Sequence, residues 1–275
     1  MPLLVLTGLV ALLLSAWLLR PHWQRRRRRA WFATPLPAVA LATLEHQVPL
    51  YRRLPDALRA QLHGHLQIFL REKKFVGCNE LVIDDRMRIT IAAQASLLLL
   101  NRITDYFPGF TSVLVYPESF VVPTVRRDGA LETRAQEVRS GESWHHGPVV
   151  LSWADIQHGV ASADTGHNVV LHEFAHKLDE ENGLVDGVPA LADPAAQTEW
   201  IDVLGREYDL LRLRAQHAEE VVLDAYGATS PAEFFAVATE VFFERPRALA
   251  ARHPRLYATL LSYFKVDPAR WSLAD

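Results

Sequence analysis

The chain has one cysteine, Cys78, among its 275 residues. No intrachain disulfide can form, so nothing argues for an oxidising compartment. A zinc site built on several thiolates is excluded as well, and any metal must be held by histidine and carboxylate. Acidic residues are missing from residues 1–29, which carry Arg20 and Arg25 to Arg29. Those six charges leave −9 on the remainder of a chain whose net charge is −3. A body this acidic argues against general nucleic-acid binding, which needs a basic face. Internal repeats are absent too, and the arginine run is the only low-complexity stretch.

Charge of either sign is missing from Pro2 to Leu19, "PLLVLTGLVALLLSAWLL". As a helix these residues span roughly 27 Å, close to the hydrocarbon thickness of a bilayer. "RPHWQRRRRRAW" follows at once, with Trp17, Trp23 and Trp31 where an interfacial belt would lie. A cleavable signal peptide carries its positive charge before the apolar run and small residues after it. Neither holds here. The pattern predicts one transmembrane anchor over residues 1–20, then a basic juxtamembrane segment and linker over 21–38. The positive-inside rule places Arg25–Arg29 at the anionic headgroups of the inner membrane, with the following domain, residues 39–272, in the cytoplasm.

The body alternates helical and strand-like patterns. Leu58, Leu62, Leu66 and Phe69 recur at helical spacing within 54–74. "RITIAAQASLLLLNR" reads as a buried helix, and "NELVIDD", "TSVLVYP" and "HGPVVLSW" as short strands. The polar stretch 118–146 reads as a hairpin or a long loop. A helix is expected from Asn168 to Asn182, ended by Gly183. A long charged helix over 198–220 follows. Another opens at Ser230 with Pro231 in its first turn, and a final helix covers 247–264. His63 and His65, and His145 and His146, read as surface or locally bonded pairs.

"VVLHEFAHKLDEENG", residues 169–183, carries the chemistry. Residues four apart share one face of a helix, so His172 and His176 present two imidazoles to one point. Glu173 lies near the same rim. Metal-assisted hydrolysis needs two neutral nitrogen ligands and a carboxylate that reaches the water without binding the metal. Val169, Val170, Phe174 and Ala175 make the rest of the helix apolar, so the polar groups must be partnered.

A third ligand is not local. The position six after His176 is Asn182, where one zinc-peptidase pattern needs histidine. Another pattern needs glutamate about twenty residues on, where Ala195 and Ala196 stand. Glu233 is the best candidate, in the first turn of the apolar helix "AEFFAVATEVFF", although a capping box with Ser230 also explains it. Glu240 lies seven residues on, on the same face. One of the two could bind metal and the other could orient a ligand histidine. Tyr226, just ahead of that helix, is a phenol that could steady an oxyanion. Asp179 falls within about 20° of His172 on the helix, on the metal face.

Taken with their order, "LVYPESFVV", "SGESWHHGPVVLSW", "HEFAHKLDEENG" and "DAYGATSPAEFFAVATEVFFE" are far more specific than the histidine pair alone. Over most of residues 35–270 the chain resembles the Mlc titration factor A family of zinc metallopeptidases, gluzincins whose core is similar to that of anthrax lethal factor. The resemblance implies an α+β, mainly helical, zincin-like domain with a small mixed sheet. It implies one Zn²⁺ on His172, His176 and Glu233, with Glu173 as general base and Tyr226 as the transition-state tyrosine. Asp179 also matches, and it and Glu240 would orient ligand histidines. The namesake binds a glucose-responsive transcriptional repressor, so a regulator-binding protein with weak or no catalysis is the alternative. The expected activity is hydrolysis of a peptide or protein laid along an edge strand, "GPVVLSW", beside the active helix.

Overall fold

The computed structural model describes residues 2–128, 131–139, 141–143, 147–162, 164–217 and 222–271, with side chains from residue 14 onward and none within 120–146. It is mainly helical with a small mixed sheet, the α+β class expected. Along the chain come α1 (Pro2–Phe32), α2 (Ala38–Gln47), α3 (Pro49–Arg53), α4 (Asp56–Glu72), β1 (Lys74–Gly77), α5 (Asp85–Leu97) and β2 (Ser112–Tyr116). Then follow β3 (Phe120–Asp128), β4 (Leu131–Arg139), β5 (Gly141–Ser143), β6 (Val149–Ser152), α6 (Trp153–Ala161) and α7 (Val169–Asp179). The last elements are α8 (Pro194–Gln216), α9 (Pro231–Glu244), α10 (Pro246–Arg252) and α11 (Pro254–Phe264), with short 3₁₀ turns at Glu180–Asn182, Ala225–Ala228 and Pro268–Arg270.

The sheet runs β1-β2-β6-β5. β1, β2 and β6 are parallel, and β5 pairs antiparallel with β6. In β2 the side chains alternate, with Val113 and Val115 fully buried. All four residues of β6 are buried. β6 is therefore an inner strand, bonded on both sides. This corrects the expectation that "GPVVLSW" offers a free edge: the outer edge on that side belongs to β5, which a local pattern cannot reveal because pairing is non-local. The polar stretch 118–146 contains the hairpin β3–β4. His145 and His146 lie outside the described residues.

Helix α7 packs on β5, β6, α5 and α9. Its anchor is Phe174, whose ring centroid lies 5.0 Å from Phe107, 5.6 Å from Phe69 and 5.7 Å from Phe110. The Asn168 side chain caps the helix by accepting from the Leu171 amide at 3.0 Å. Gly183, at φ 89°, takes the left-handed conformation that follows the 3₁₀ turn.

Two further expectations are corrected. "NELVIDD" is not a strand: Asn79 and Glu80 take positive φ and turn the chain after β1. Asp84 then caps α5 through the Met87 amide at 2.7 Å. The single helix expected over 247–264 is two, because Pro254 has no amide to donate and its ring disfavours helix at His253.

Helix α1 continues through the basic stretch expected to be a linker and ends at Phe32. Arg28 meets Glu72 with two bonds of 2.8 Å and Asp105 with one of 2.9 Å, so this arginine faces the domain rather than headgroups. Among the described residues no helix is long and apolar enough to cross a membrane.

His63 and His65 bond the hydroxyls of Tyr51 and Tyr106, each at 3.0 Å, and the His65 bond spans 41 residues, so His65 is neither the surface nor the locally bonded residue expected. His65 is buried, which lowers its pKa to about 4. An unfolded histidine titrates near 6.5. As pH falls from about 6.5 to about 4, the unfolded chain takes up a proton that folded His65 refuses, so stability is full above this window and is lost within it. The loss expected from this one group is about 3 kcal/mol. Urea unfolding between pH 7 and pH 4 checks it: His65→Gln should remove most of that part of the slope.

Candidate metal centre

The pairing of α7 with α9 builds the centre. On α7, His172 and His176 stand one turn apart, with Nε2 atoms 3.3 Å from each other. From the first turn of α9, Glu233 brings Oε2 to 3.0 Å from His172 Nε2 and 3.4 Å from His176 Nε2. Ser230 caps α9 through the Glu233 amide at 3.2 Å. Only the Ser230 half of the expected capping box forms, because the backbone of Glu233 serves the cap while its side chain serves the centre.

Glu240 goes to the other side of the ring. Its Oε1 accepts from His172 Nδ1 at 2.7 Å. That bond places the proton on Nδ1 and leaves the Nε2 lone pair facing the centre, the tautomer a ligand needs. The two carboxylates left open by the sequence are so divided: Glu233 at the centre, Glu240 behind the ligand.

Three donor atoms within 4.8 Å of one another meet here. With bonds of roughly 2.0–2.1 Å, ligand atoms at the corners of a tetrahedron lie about 3.3–3.4 Å apart. The observed 3.0, 3.3 and 3.4 Å fit that spacing. Two imidazoles with one carboxylate are also the donor set of a catalytic zinc site with an open position. The residues present therefore fit a metal.

The electrostatics favour a cation. Burial opposes a charge on His172, but Glu240, Glu233 and Glu173 outweigh it and hold the imidazole pKa well above its usual value. Burial likewise pushes Glu233 up, but bonds to His172 and His176 pull its carboxyl far below the ordinary carboxylate range. Glu173 is 4 % exposed, on the same helix as both histidines. Tyr226 is open to solvent, and its ring centroid lies 6.0 Å from that of His172. Asp224 accepts from the Tyr226 amide at 2.7 Å, and Thr229 donates to the Tyr226 carbonyl at 2.7 Å, so its backbone is held at both ends.

Asp179 makes a different contact from the one expected. Its Oδ2 accepts from the Gly187 amide at 2.8 Å. Among the described residues it makes no hydrogen bond to a ligand histidine, and neither its Oδ1 nor His176 Nδ1 has a hydrogen-bond partner. Burial pushes its carboxyl up to about 6. Gly187 also accepts from Trp200 Nε1 at 2.8 Å. A Cβ on Gly187 would sit 2.4 Å from the Pro231 carbonyl oxygen, so only glycine fits between the end of α7 and the start of α9. Asp179 thus fixes the spacer that sets the approach of the two helices.

Sequence reasoning missed Asn168 and Glu244. The Asn168 amide donates to Glu240 Oε2, and its Nδ2 donates to Glu244 Oε1 at 3.0 Å. Glu244 also accepts from the Asp164 amide at 3.1 Å. Asn168 reads as a cap and Glu244 as a helix-end charge. The available signal was a third carboxylate in a helix too apolar to leave it unpaired.

Known proteins resemble this chain along most of its length. An uncharacterized protein of Synechocystis is 38 % identical over 267 residues, covering 96 % of this chain and 97 % of its own length. Mlc titration factor A of Salmonella arizonae is 34 % identical over 233 residues, 81 % of this chain and 89 % of its own. That of Cronobacter sakazakii is 34 % identical over 257 residues, 90 % and 92 % of the two chains. Residues 22–265 match the family described as glucose-regulated metallo-peptidase M90, and with nearly the whole folded body inside that match the chain belongs to this metallopeptidase family.

Proposed function

We propose that the protein is a zinc-dependent peptidase, tethered to the inner membrane through residues 2–19 with its catalytic domain in the cytoplasm. The observation that carries the chemistry is the convergence of His172, His176 and Glu233 beside a buried Glu173. Zinc held there would supply a Lewis acid and a water whose pKa falls to near neutrality. Beside such a centre Glu173 would serve as the general base and acid, holding a proton at its carboxylate and returning it to the departing amine. Tyr226 donates a hydrogen bond to the carbonyl oxygen as it gains negative charge, and its exposed position at the rim lets substrate reach it. Glu240 holds the His172 ring, and Asp179 acts through Gly187 to hold the helices at their spacing. The substrate backbone pairs with the outer edge of β5, the strand beside α7 that has no second strand partner among the described residues.

The tether is supported by the uncharged run, the arginines behind it and the exposed Trp17 and Trp23. The name of the relatives favours a second reading, a protein that binds a transcriptional regulator with little or no hydrolysis. A structural metal needs neither a buried Glu173 nor a tyrosine at the rim, which favours the enzyme.

Two outcomes are expected. Offered an unbiased peptide mixture, the zinc-loaded full chain in detergent yields new termini by mass spectrometry. Glu173→Gln keeps its zinc and loses about 10²–10⁴ in turnover, and Tyr226→Phe loses about 10²–10³ in kcat. Equal cleavage by Glu173→Gln would sink the mechanism, and intact peptides from every form would favour the binding reading. Zinc must also displace the proton that the carboxylates hold on His172. Because that pKa is raised, zinc affinity should still climb as pH rises above 7, with close to one proton released per ion at neutrality. Titration calorimetry in buffers of different ionisation enthalpy measures this. Glu240→Ala should weaken zinc roughly 10–100-fold and reduce the proton release.

A further inference from the structure

Helix α1 lies along α4, and between them and the segment 105–111 runs a groove of about 970 Å³. One face of α1 lines it at three- and four-residue steps: Ala16, Leu19, Arg20, Trp23, Arg27 and Trp31. Arg71 and Lys73 line the opposite wall. The groove has a direction. Its N-terminal end is mainly apolar, through Ala16, Leu19 and Trp23 with Arg20 among them, and opens beside exposed Trp17 and Leu18. Its far end is cationic.

Of the arginines lining it, one is spent on carboxylates. Arg28 takes up Glu72 and Asp105, the two acids lining the groove. Among the described residues Arg20, Arg27 and Arg71 have no carboxylate partner. Arg27 and Arg71 instead both approach one ring, with guanidinium carbons 4.7 and 5.8 Å from the centroid of Trp31. Arg71 otherwise bonds the Gln67 carbonyl at 2.8 Å and the Gln67 side chain. Lys73 is buried and donates to the carbonyls of Phe107 and Phe110 at 2.7 and 2.8 Å, with its ammonium 4.2 Å from the Phe110 ring centroid. Fixed positive charge at the end of a track that begins apolar matches one ligand chemistry, an anionic headgroup carrying acyl chains. A guanidinium fork suits phosphate oxygens, and exposed Trp23 suits the headgroup level.

We infer that this groove seats the phosphate of one anionic phospholipid between Arg27 and Arg71, with its acyl chains along Leu19 and Trp23. The inference rests on the membrane association proposed above. It makes part of the folded body, through Arg71 of α4, a component of the membrane contact. A second groove on the other flank of α1 is lined by Arg25, Arg28 and Arg29, so of the arginines in the run Arg26 lines neither.

That difference supplies the test. The full chain is added to vesicles of phosphatidylcholine alone and to vesicles containing a minority of phosphatidylglycerol, and bound protein is measured by flotation. In parallel, native mass spectrometry of the detergent-solubilised chain compares retention of the two lipids. Wild type should retain one phosphatidylglycerol in preference to phosphatidylcholine. Arg71→Glu and Arg27→Glu should each cut that preference roughly tenfold, while Arg26→Glu leaves it within about twofold. Arg71→Gln guards against misfolding, and its circular dichroism and zinc content should match wild type while part of the preference is lost. If all three reversals act alike, the arginines are a diffuse field and the groove is not a site. If inorganic phosphate at millimolar concentration displaces the lipid, the site is for free phosphate and the inference falls. No flotation with either vesicle, alongside intact lipid preference in detergent, would remove the tether and leave the groove standing.

Discussion

Helix α9 carries Glu233, Glu240 and Glu244 through an otherwise apolar core, and the centre of the molecule is organised by the need to pair them. A buried carboxylate without a partner costs several kcal/mol or gives up its charge. Each of the three finds its partner on or next to α7: the histidine pair for Glu233, His172 Nδ1 and the Asn168 amide for Glu240, and the Asn168 side chain for Glu244. The carboxylates stand seven and four residues apart, so they run down one stripe of α9. One stripe against one stripe sets the register of the two helices. The arrangement that satisfies folding electrostatics is the same one that aims two imidazole nitrogens and a carboxylate at one point.

Two glycines then set the distances. Gly187 lets the loop after α7 pass under Pro231, two residues before Glu233, and Asp179 and Trp200 hold it there. Gly227 does the same for the tyrosine turn. A Cβ on it would come within 3.2–3.3 Å of Leu211 and Val237, so the turn carrying Tyr226 sits close on α8 and α9. These are packing constraints rather than chemistry, but they decide whether Glu233 and Tyr226 reach the histidines.

This division explains what the sequence could disclose. His172 with His176, and Glu233 with Glu240, are spacing facts within single helices, and helical period is legible in one chain. The assignment of Glu233 to the centre and Glu240 to the back of the ring was not, because it depends on where the α7 axis crosses α9. Asp179 shows the limit clearly. Its helical angle points it at the metal face, yet its bond goes to Gly187, a loop residue that no period places. The sheet failed for the same reason: "VVLS" reads as a strand from composition, but its partners β2 and β5 are set by non-local pairing. Local signals that competed with nothing, such as Ser230 before Pro231, carried through unchanged.

The charge split of the chain has a structural counterpart. Six arginines precede an acidic body, and simple attraction would fold the basic segment down upon it. Among the described residues only Arg28 crosses over to meet body carboxylates, those of Glu72 and Asp105. Helical geometry allows no more: consecutive residues step about 100° around the axis, so a run of five arginines must fan out in all directions. One is captured by the body, its neighbours fall into the grooves on either flank, and Arg26 reaches neither groove. Helix α1 also packs on the domain through Trp31 and Phe32, but among the described residues its other arginines meet no carboxylate. Meanwhile the carboxylates of α9 are paired on the α7 side and do not compete for those arginines. The acidic centre and the basic helix thus stay electrostatically separate, so each can meet its own ligand, a cation at one and an anion at the other.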